Sequence, residues 1–238
     1  MAPNDALQPT CLASLSFTPE LQLQTLFVLN EASRIVCTRE PNPSPGPRFS
    51  LIRGKSRCAW AIRADIDDAL AGQLGDLARE EPPTLDFHRE PVHAKRYAAL
   101  LGGRIDSGPV FTFPIGAPAP ADIVAIGRLA QLEQNFRGWT TDDLAERAPI
   151  VGVIEGAHAV SICFCARRSL VAAEAGLETA SEFRGRGLGP RVTWAWAVAL
   201  RTSGRLPLYS TSWSNGPSLA VARKLGLEAC ATDWSLAD

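Results

Sequence analysis

Residues 181–190, S-E-F-R-G-R-G-L-G-P, carry three glycines at alternate positions, interleaved with arginine. They join a predicted strand, residues 172–179, to a predicted helix, residues 190–202, so the chain must turn sharply between them. Glycines lack Cβ atoms, and successive N–H groups can therefore point outward together and approach a ligand closely. The following helix adds free N–H groups and the positive end of its dipole. This pattern predicts a cradle for a phosphate or pyrophosphate, with Arg184, Arg186 and Arg191 as side-chain donors.

Two common phosphate-binding motifs do not match this segment. A nucleotide P-loop needs G-x-x-x-x-G-K-[S/T], and no Lys-Ser or Lys-Thr follows these glycines. A dinucleotide fingerprint needs G-x-G-x-x-G, whereas position 190 is proline, and residues 205–210 lack the carboxylate expected to bind a ribose. A turn that only packs a helix on a sheet remains an alternative.

Hydrophobic periodicity predicts a mixture of strands and helices, with hairpins early in the chain and a strand–helix–strand unit late. The predicted strands are residues 25–28, 33–38, 48–52, 59–63, 110–114, 150–154, 159–165, 172–179, 206–213 and 228–236. The predicted helices are residues 67–79, 92–101, 121–136, 190–202 and 218–225. The fold class is therefore α/β (α+β).

Composition restricts the classes of partner. The net charge is −1, so no global basic field attracts nucleic acid or an anionic membrane, and no apolar run approaches the roughly 18–20 residues of a membrane span. The first 15 residues lack a basic region followed by a compact apolar stretch, so no secretory signal is predicted. Six scattered cysteines and three isolated histidines predict reduced thiols, no metal site and a cytoplasmic location. Cys163 and Cys165 alternate in a predicted strand and should both face the core.

The spacing [Q/R]-x-x-G-x-[G/A] is satisfied by Arg184, Gly187 and Gly189, and P-L-Y-S-T-S-W-S-N-G-P-S-L-A-V-A-R-K-L-G-L follows at residues 207–227. In these two segments the chain resembles the GCN5-related N-acetyltransferase (GNAT) superfamily. The resemblance implies a mixed, mostly antiparallel sheet with a V-shaped splay, flanked by helices. It covers residues 108–238, the predicted GNAT acetyl-coenzyme A-binding catalytic domain. Residues 1–107 are predicted to form an N-terminal α/β region, either a degenerate GNAT-like half or an elaboration that shapes the acceptor pocket.

The resemblance also implies a cosubstrate, acetyl-coenzyme A, and residues that bind it. The amides of the glycine-rich loop would hold the pyrophosphate, and the backbone of Leu177 and Thr179 would pair with the pantetheine arm. Asn215 and Ser218 match the family's positions near the pantetheine, although Asn215 could instead be only a helix cap. The loop residues are Arg184, Gly185, Arg186, Gly187, Leu188 and Gly189.

The implied reaction is direct attack of an amine on the thioester in a ternary complex, which needs a base for the amine proton. Glu174 and Glu178 lie on one face of the predicted strand, and either could be that base or bind the substrate ammonium. The family often places a tyrosine as general acid where this chain has Ala222. Tyr209, Ser210, Ser218 or a water could replace it.

The absent tyrosine keeps a second hypothesis open: a non-catalytic coenzyme A-binding or protein-interaction module with the same fold. Trp196 has helical spacing with apolar neighbours and is predicted to be core. Trp139 lies where the family builds the wall of its acceptor site, but a surface contact between helices is the favoured interpretation. The sequence does not name the amine acceptor, because loops build such pockets.

Overall fold

The computed structural model describes residues 16–238, so Cys11 and the N-terminal segment examined for a secretory signal lie outside the described residues. The helices are α1 (Pro19–Leu26), α2 (Asp68–Arg79), α3 (Ala94–Leu101), α4 (Thr141–Glu146), α5 (Leu188–Thr202) and α6 (Gly216–Lys224). The strands are β1 (Phe27–Leu29), β2 (Ile35–Thr38), β3 (Phe49–Gly54), β4 (Cys58–Ile62), β5 (Arg104–Thr112), β6 (Val124–Ala125), β7 (Val151–Glu155), β8 (His158–Arg168), β9 (Ala172–Thr179), β10 (Leu206–Ser210) and β11 (Glu228–Ala237).

Nine strands form one sheet in the order β4-β3-β11-β5-β10-β9-β8-β7-β6, and β1 and β2 form a separate hairpin. Every neighbouring pair in the large sheet is antiparallel except β9 and β10, which run parallel. The prediction of a mixed, mostly antiparallel sheet flanked by helices is therefore confirmed.

The parallel pair opens into a V. β10 pairs with β9 only from Leu206 opposite Ala172 to Leu208 opposite Glu174. Beyond that point β9 continues along β8 to Thr179, whereas β10 stays paired with β5. Within residues 16–238, one edge of β9 is therefore left without a strand partner, and the predicted splay is confirmed.

The alternation of side chains along the strands divides the core between the two faces of the sheet. On one face, α2 and α3 cover a buried cluster around Leu51 and Trp234, and α5 covers a second cluster around Trp196. On the other face, α1 covers Ile52 and Val110. The predictions that Trp196, Cys163 and Cys165 face the core are confirmed, since all three are buried in the cluster under α5.

The predicted helix at residues 121–136 is wrong. Val124 and Ala125 instead pair with β7, and the N–H of Ile126 donates to the carbonyl of Ile150 (2.9 Å). Gly127 weakens a helix at this point, and sheet pairing satisfies the backbone instead. Of the apolar residues that suggested a helix, Ile126 and Leu132 are buried, whereas Ile123 and Leu129 are only partly buried. Turns pack Leu132 and Phe136 against β8.

Several boundaries also differ from the predictions, and the sequence did not predict α1 or α4. The largest difference is at β5, which begins at Arg104 although the strand was predicted only from residue 110. The strand predicted at residues 25–28 starts only at Phe27, because the preceding residues, Pro19–Leu26, form α1. The N-terminus of α1 is capped by the Thr18 hydroxyl, which accepts a hydrogen bond from the Leu21 N–H. The strand predicted at residues 206–213 ends at Ser210, where the chain turns back and the Trp213 N–H donates to the Ser107 carbonyl (3.1 Å).

β5 links the two parts of the chain. It lies between β10 and β11, so the sheet of the C-terminal part contains a strand that begins at Arg104. β11 in turn pairs with β3 of the N-terminal part. The predicted boundary between residues 107 and 108 falls inside β5, and a division of the chain at that point stays a prediction.

Candidate functional site

The glycine-rich segment folds into a loop whose amides point away from other backbone. Gly185 and Gly187 have φ of +77° and +75°, in the left-handed region that favours glycine, and Gly187 is the N-cap of α5. The last backbone hydrogen bond before the loop joins the Arg184 N–H to the Ser181 carbonyl (3.3 Å). Among residues 16–238, no backbone acceptor receives the N–H groups of residues 185–187, and the first turn of α5 has no partner of its own. This end of α5 is therefore suited to an anion.

The loop lines a cleft of about 810 Å³, which lies within the range of small-molecule and cofactor sites. The cleft runs from the end of β9, across the start of α5, to the start of α6. Ten of the predicted site residues line it: Leu177, Glu178, Thr179, Arg184, Gly185, Gly187, Leu188, Gly189, Asn215 and Ser218. Six residues that were named as candidates are not among the lining residues: Trp139, Glu174, Arg186, Arg191, Tyr209 and Ser210.

Only one of the three predicted arginine donors faces the cleft. Arg184 lines it and donates from Nε to the Thr179 carbonyl (3.1 Å). The guanidinium of Arg186 lies over the Phe183 ring, 4.6 Å from its centroid, and that of Arg191 pairs with Asp122. The Arg186 and Arg191 side chains therefore have local partners and do not line the cleft, and their contribution to the anion site stays a prediction.

The open edge of β9 presents the backbone of Leu177 and Thr179. The Ala180 N–H donates to the Val160 carbonyl on the β8 side (2.9 Å). Backbone groups alternate in direction along a strand, so the groups of Leu177 and Thr179 point away from β8, towards the splay. An extended ligand in the cleft can pair with this edge in the manner of an added strand.

The two candidate acids face the same side of β9 but have different surroundings. Glu174 is buried, with Oε1 accepting a hydrogen bond from Gln22 Nε2 (2.6 Å) and Oε2 lying 3.6 Å from Arg167 Nη1. It does not reach the cleft. Glu178 lines the cleft, and desolvation by its neighbours raises its pKa while the positive charge of Arg147 partly opposes the rise. Of the two, only Glu178 has access to a ligand in the cleft.

Tyr209 is connected to the cleft only indirectly, through the hydroxyl of Ser218. Its side chain is buried under α5 and α6, and its hydroxyl lies 2.8 Å from Ser218 Oγ. Burial raises the pKa of Tyr209, and the hydrogen bond to Ser218 partly opposes this rise. Ala222 is 1% exposed and belongs to the same buried cluster. A tyrosine is therefore present in this part of the core, but it comes from β10. At the position on α6 where the family often has a tyrosine, Ala222 contributes only a methyl group.

Asn215 caps α6 and also lines the cleft, and its predicted place beside the pantetheine stays a prediction. In the cap, its Oδ1 accepts a hydrogen bond from the Ser218 N–H (3.1 Å).

Trp139 belongs to a packed group beside Glu178 and does not line the cleft. Its ring makes an edge-to-face contact with Phe164, with centroids 4.8 Å apart. The Arg147 guanidinium lies over both rings, and its Nε donates to Asp143 (2.9 Å). The predicted contact of Trp139 with the acceptor stays a prediction, and its observed contacts are structural.

Sequence reasoning missed several lining residues. Lys224, at the end of α6, places a positive charge on the cleft, and Asn135 and Phe136 contribute a wall opposite α6. Lys224 could have been found from its helical spacing with Ala220 and Val221, which line the cleft from the same helix. Asn135 and Phe136 could not, because the helix predicted there does not form.

Residues 16–238 contain no cluster of three or more His, Cys, Asp or Glu side chains arranged to hold a metal ion. Over the same described range, none of the helices has the length and apolar character needed to cross a membrane.

Comparison with known proteins gives a family model that matches part of the chain. Residues 150–235 match the family model described as FR47-like protein. No curated protein matches the chain in sequence. The matched residues contain β7 to β10, α5, α6 and most of β11, and therefore both the glycine-rich loop and the splay.

Three solved structures illustrate the likeness. A GNAT-family protein from Novosphingobium aromaticivorans DSM 12444 is 22% identical over 56% of this chain and 64% of its own, slightly under two thirds, with a TM-score of 0.45. A GCN5-related N-acetyltransferase-like protein from Streptococcus suis 89/1591 is 14% identical over 80% and 84% of the two chains, with a TM-score of 0.44. A tandem GNAT protein from the clavulanic acid biosynthesis pathway is 16% identical over 91% and 93%, with a TM-score of 0.46.

The family match falls on the segment that forms the cleft, and the sheet has the splay that the resemblance implied. Residues 150–235 are therefore similar to the FR47-like family, and this similarity covers about a third of the chain.

Proposed function

We propose that this protein is an N-acetyltransferase that moves the acetyl group of acetyl-coenzyme A to an amine by direct attack in a ternary complex. The observation that carries the proposal is the cleft itself. It combines unpaired amides at the start of α5, the open edge of β9 and one accessible carboxylate, Glu178. The amides can bind the diphosphate of the donor, the strand edge can pair with its extended pantetheine arm, and the carboxylate can take a proton from the ammonium group of the acceptor.

The donor would lie along the cleft. The amides of residues 185–189 and the positive end of α5 would hold the pyrophosphate, with Arg184 and Lys224 adding positive charge. The backbone of Leu177 and Thr179 would pair with the pantetheine amides. Asn215 and Ser218 would lie beside the pantetheine near the splay.

The chemistry forms one C–N bond and breaks one C–S bond. The amine nitrogen, after losing its ammonium proton, attacks the thioester carbonyl, and coenzyme A leaves as a thiolate. Glu178 would take the amine proton directly or through a water, and its raised pKa makes the carboxylate a stronger base than an ordinary glutamate. Ser218 would protonate the thiolate, with the Tyr209 hydroxyl 2.8 Å behind it to replace the proton. The second proton that the nitrogen loses as the amide forms would pass to solvent, and solvent would restore the Tyr209 hydroxyl.

The compartment is part of the same proposal. The five cysteines in the described part of the chain are free thiols, which supports a cytoplasmic location.

Replacing Glu178 tests the proposed base. Release of free thiol from acetyl-coenzyme A is followed with a panel of amines, and Glu178→Gln is expected to lower kcat by about 10²–10⁴-fold, the usual contribution of acid–base catalysis. Glu182→Gln is the matched control, because Glu182 is an exposed acid next to the loop that does not line the cleft. Equal turnover in the two variants would remove Glu178 as the base.

The absence of a tyrosine at Ala222 favours one other function, a coenzyme A-binding module without catalysis. In that case acetyl-coenzyme A would bind, and no amine would release its thiol. The same assay on the unaltered protein separates the two functions.

A further inference from the structure

A second, polar cavity of about 350 Å³ adjoins the donor cleft. It lies where β5, β11 and the end of β10 meet, and it shares two lining residues, Asn215 and Ser218, with the cleft. A molecule in this cavity therefore lies next to the residues proposed to flank the reacting end of the pantetheine arm.

Six serine and threonine residues line the cavity together with the charged residues Asp106, Asp233 and Arg167. The six are Ser107, Ser210, Thr211, Ser212, Ser218 and Ser235. Asp106 lies opposite Ser235 in the β5–β11 ladder, and Asp233 lies two residues before Ser235. The two aspartates are therefore diagonal neighbours, with side chains about 7 Å apart. They form an anionic wall of the cavity on the β5–β11 ladder.

The positive charge in the cavity is already neutralised by other groups. Arg167 lines the wall, but its guanidinium pairs with Glu40 and lies 3.6 Å from buried Glu174. Within residues 16–238 no lysine or arginine forms an ion pair with Asp106 or Asp233. The cavity is therefore net negative.

Asp233 is poorly satisfied by the protein alone. In the described part of the chain, its one side-chain hydrogen bond comes from Ser50 Oγ at 3.5 Å, the limit of such an interaction. Burial raises the pKa of Asp233 to about 7, and the charges of Glu174 and Asp106 add to the rise while Arg167 opposes it. A partly buried carboxylate with so little support is costly unless a cation or a strong donor meets it.

We infer that this cavity binds the acceptor, and that the acceptor is a small polar diamine. One amino group would be held as an ammonium by Asp106 and Asp233, while the other would face the donor cleft beside Asn215 and Ser218. The serine and threonine residues of the lining would bind the polar parts of the molecule. The inference rests on the proposed function, since it names the substrate of that reaction. It also predicts that an acceptor with a carboxylate at its far end is disfavoured.

Three amines of equal length test the inference: 1,4-diaminobutane, 4-aminobutanol and 4-aminobutanoate. They present an ammonium, a hydroxyl and a carboxylate to the anionic wall of the cavity. In the thiol-release assay we expect kcat/KM for the diamine to exceed that of the alcohol at least 10-fold, with the carboxylate lowest. Binding of the three amines to the complex with coenzyme A, measured by calorimetry, should show the same order without needing turnover.

Two variants assign the preference to the aspartates. Asp233→Asn and Asp106→Asn should each reduce the preference for diamine over alcohol to less than about 3-fold, with KM for acetyl-coenzyme A unchanged. Asp76→Asn, at an exposed aspartate on α2, is the matched control and should keep the preference. Far-UV circular dichroism verifies the fold of each variant, and Asp106 is exposed, so its replacement does not disturb the core.

The outcomes separate the two proposals. Binding of acetyl-coenzyme A without any order among the three amines, or with the carboxylate preferred, overturns the inference alone. A preference that survives in both aspartate variants also overturns it. Failure of acetyl-coenzyme A to bind overturns the proposed function itself.

Discussion

Single residues decide whether the cleft can bind an anion, and the sequence predicted some of them. Gly185 and Gly187 were predictable because only glycine adopts a positive φ at low cost, roughly 1–2 kcal/mol less than other residues. The contacts of Glu174 were not predictable, because its partner Gln22 is 152 residues away in the chain. The directions of Arg184 and Arg186 were not predictable either, because both flank Gly185. The Arg186 guanidinium lies over the Phe183 ring, whereas Arg184 Nε donates to the Thr179 carbonyl.

Glu178 and Arg147 give a prediction for the dependence of rate on pH. A base must be deprotonated to act, so kcat/KM should fall as the pH drops through the raised pKa of Glu178. Arg147 lowers this pKa, and removing its charge in Arg147→Met should therefore move the acidic limb of the profile to higher pH. The measurement is a profile of kcat/KM against pH for the acetylation of one amine.

Arg147→Lys is the control, because it keeps the positive charge and should leave the acidic limb near its original position. An acidic limb that does not move in Arg147→Met would contradict the assignment of Glu178 as the titrating base.

At the scale of elements, the loop after β10 is held closely against β5. A Cβ atom at Gly108 would lie 1.7 Å from the Thr211 carbonyl oxygen, and the Thr211 N–H donates to the Pro109 carbonyl (3.3 Å). This contact fixes one wall of the second cavity. The sequence predicted most helices and strands, but it extended β10 to residue 213, because pattern alone does not show where a strand meets another backbone.

Gly108→Ala should therefore destabilise the protein. The added methyl group meets backbone that cannot move aside as a side chain would, and such overpacking costs about 1–3 kcal/mol, or roughly 2–12 °C in melting temperature for a protein of this size. Gly72→Ala in α2 is the control, since its Cβ would meet open space and alanine favours a helix. A melting temperature for Gly108→Ala equal to that of the unaltered protein would show that the contact between β5 and the loop is loose.

At the scale of the whole molecule, one sheet joins the two parts of the chain. β5 lies between two strands of the C-terminal part, and β11 pairs with β3. The resemblance predicted a splayed sheet and a cofactor cleft in residues 108–238, and the splay and the cleft are both found there. The position of β5 in that sheet was beyond sequence reasoning, because the pairing partner of a strand depends on contacts far apart in the chain.

The shared sheet predicts a single cooperative unfolding transition. Urea unfolding followed by tryptophan fluorescence and by far-UV circular dichroism should give coincident midpoints, because loss of β5 or β11 would disrupt both parts at once. Two separated transitions would instead support independent folding of residues 1–107 and 108–238.

The most direct test of the account is a thermal-shift titration with acetyl-coenzyme A, free coenzyme A and NADH. At 100 times its dissociation constant a ligand stabilises the folded protein by about 2.7 kcal/mol, which is roughly 5–10 °C here. We predict that acetyl-coenzyme A and free coenzyme A both raise the melting temperature of the unaltered protein and of the control variant Gly72→Ala, and that NADH does not. Gly187→Ala should lose most of this shift, because its loop amides are displaced. No shift with saturating acetyl-coenzyme A, or an equal shift with NADH, would contradict the central claim that the cleft at α5 is an acyl-donor site.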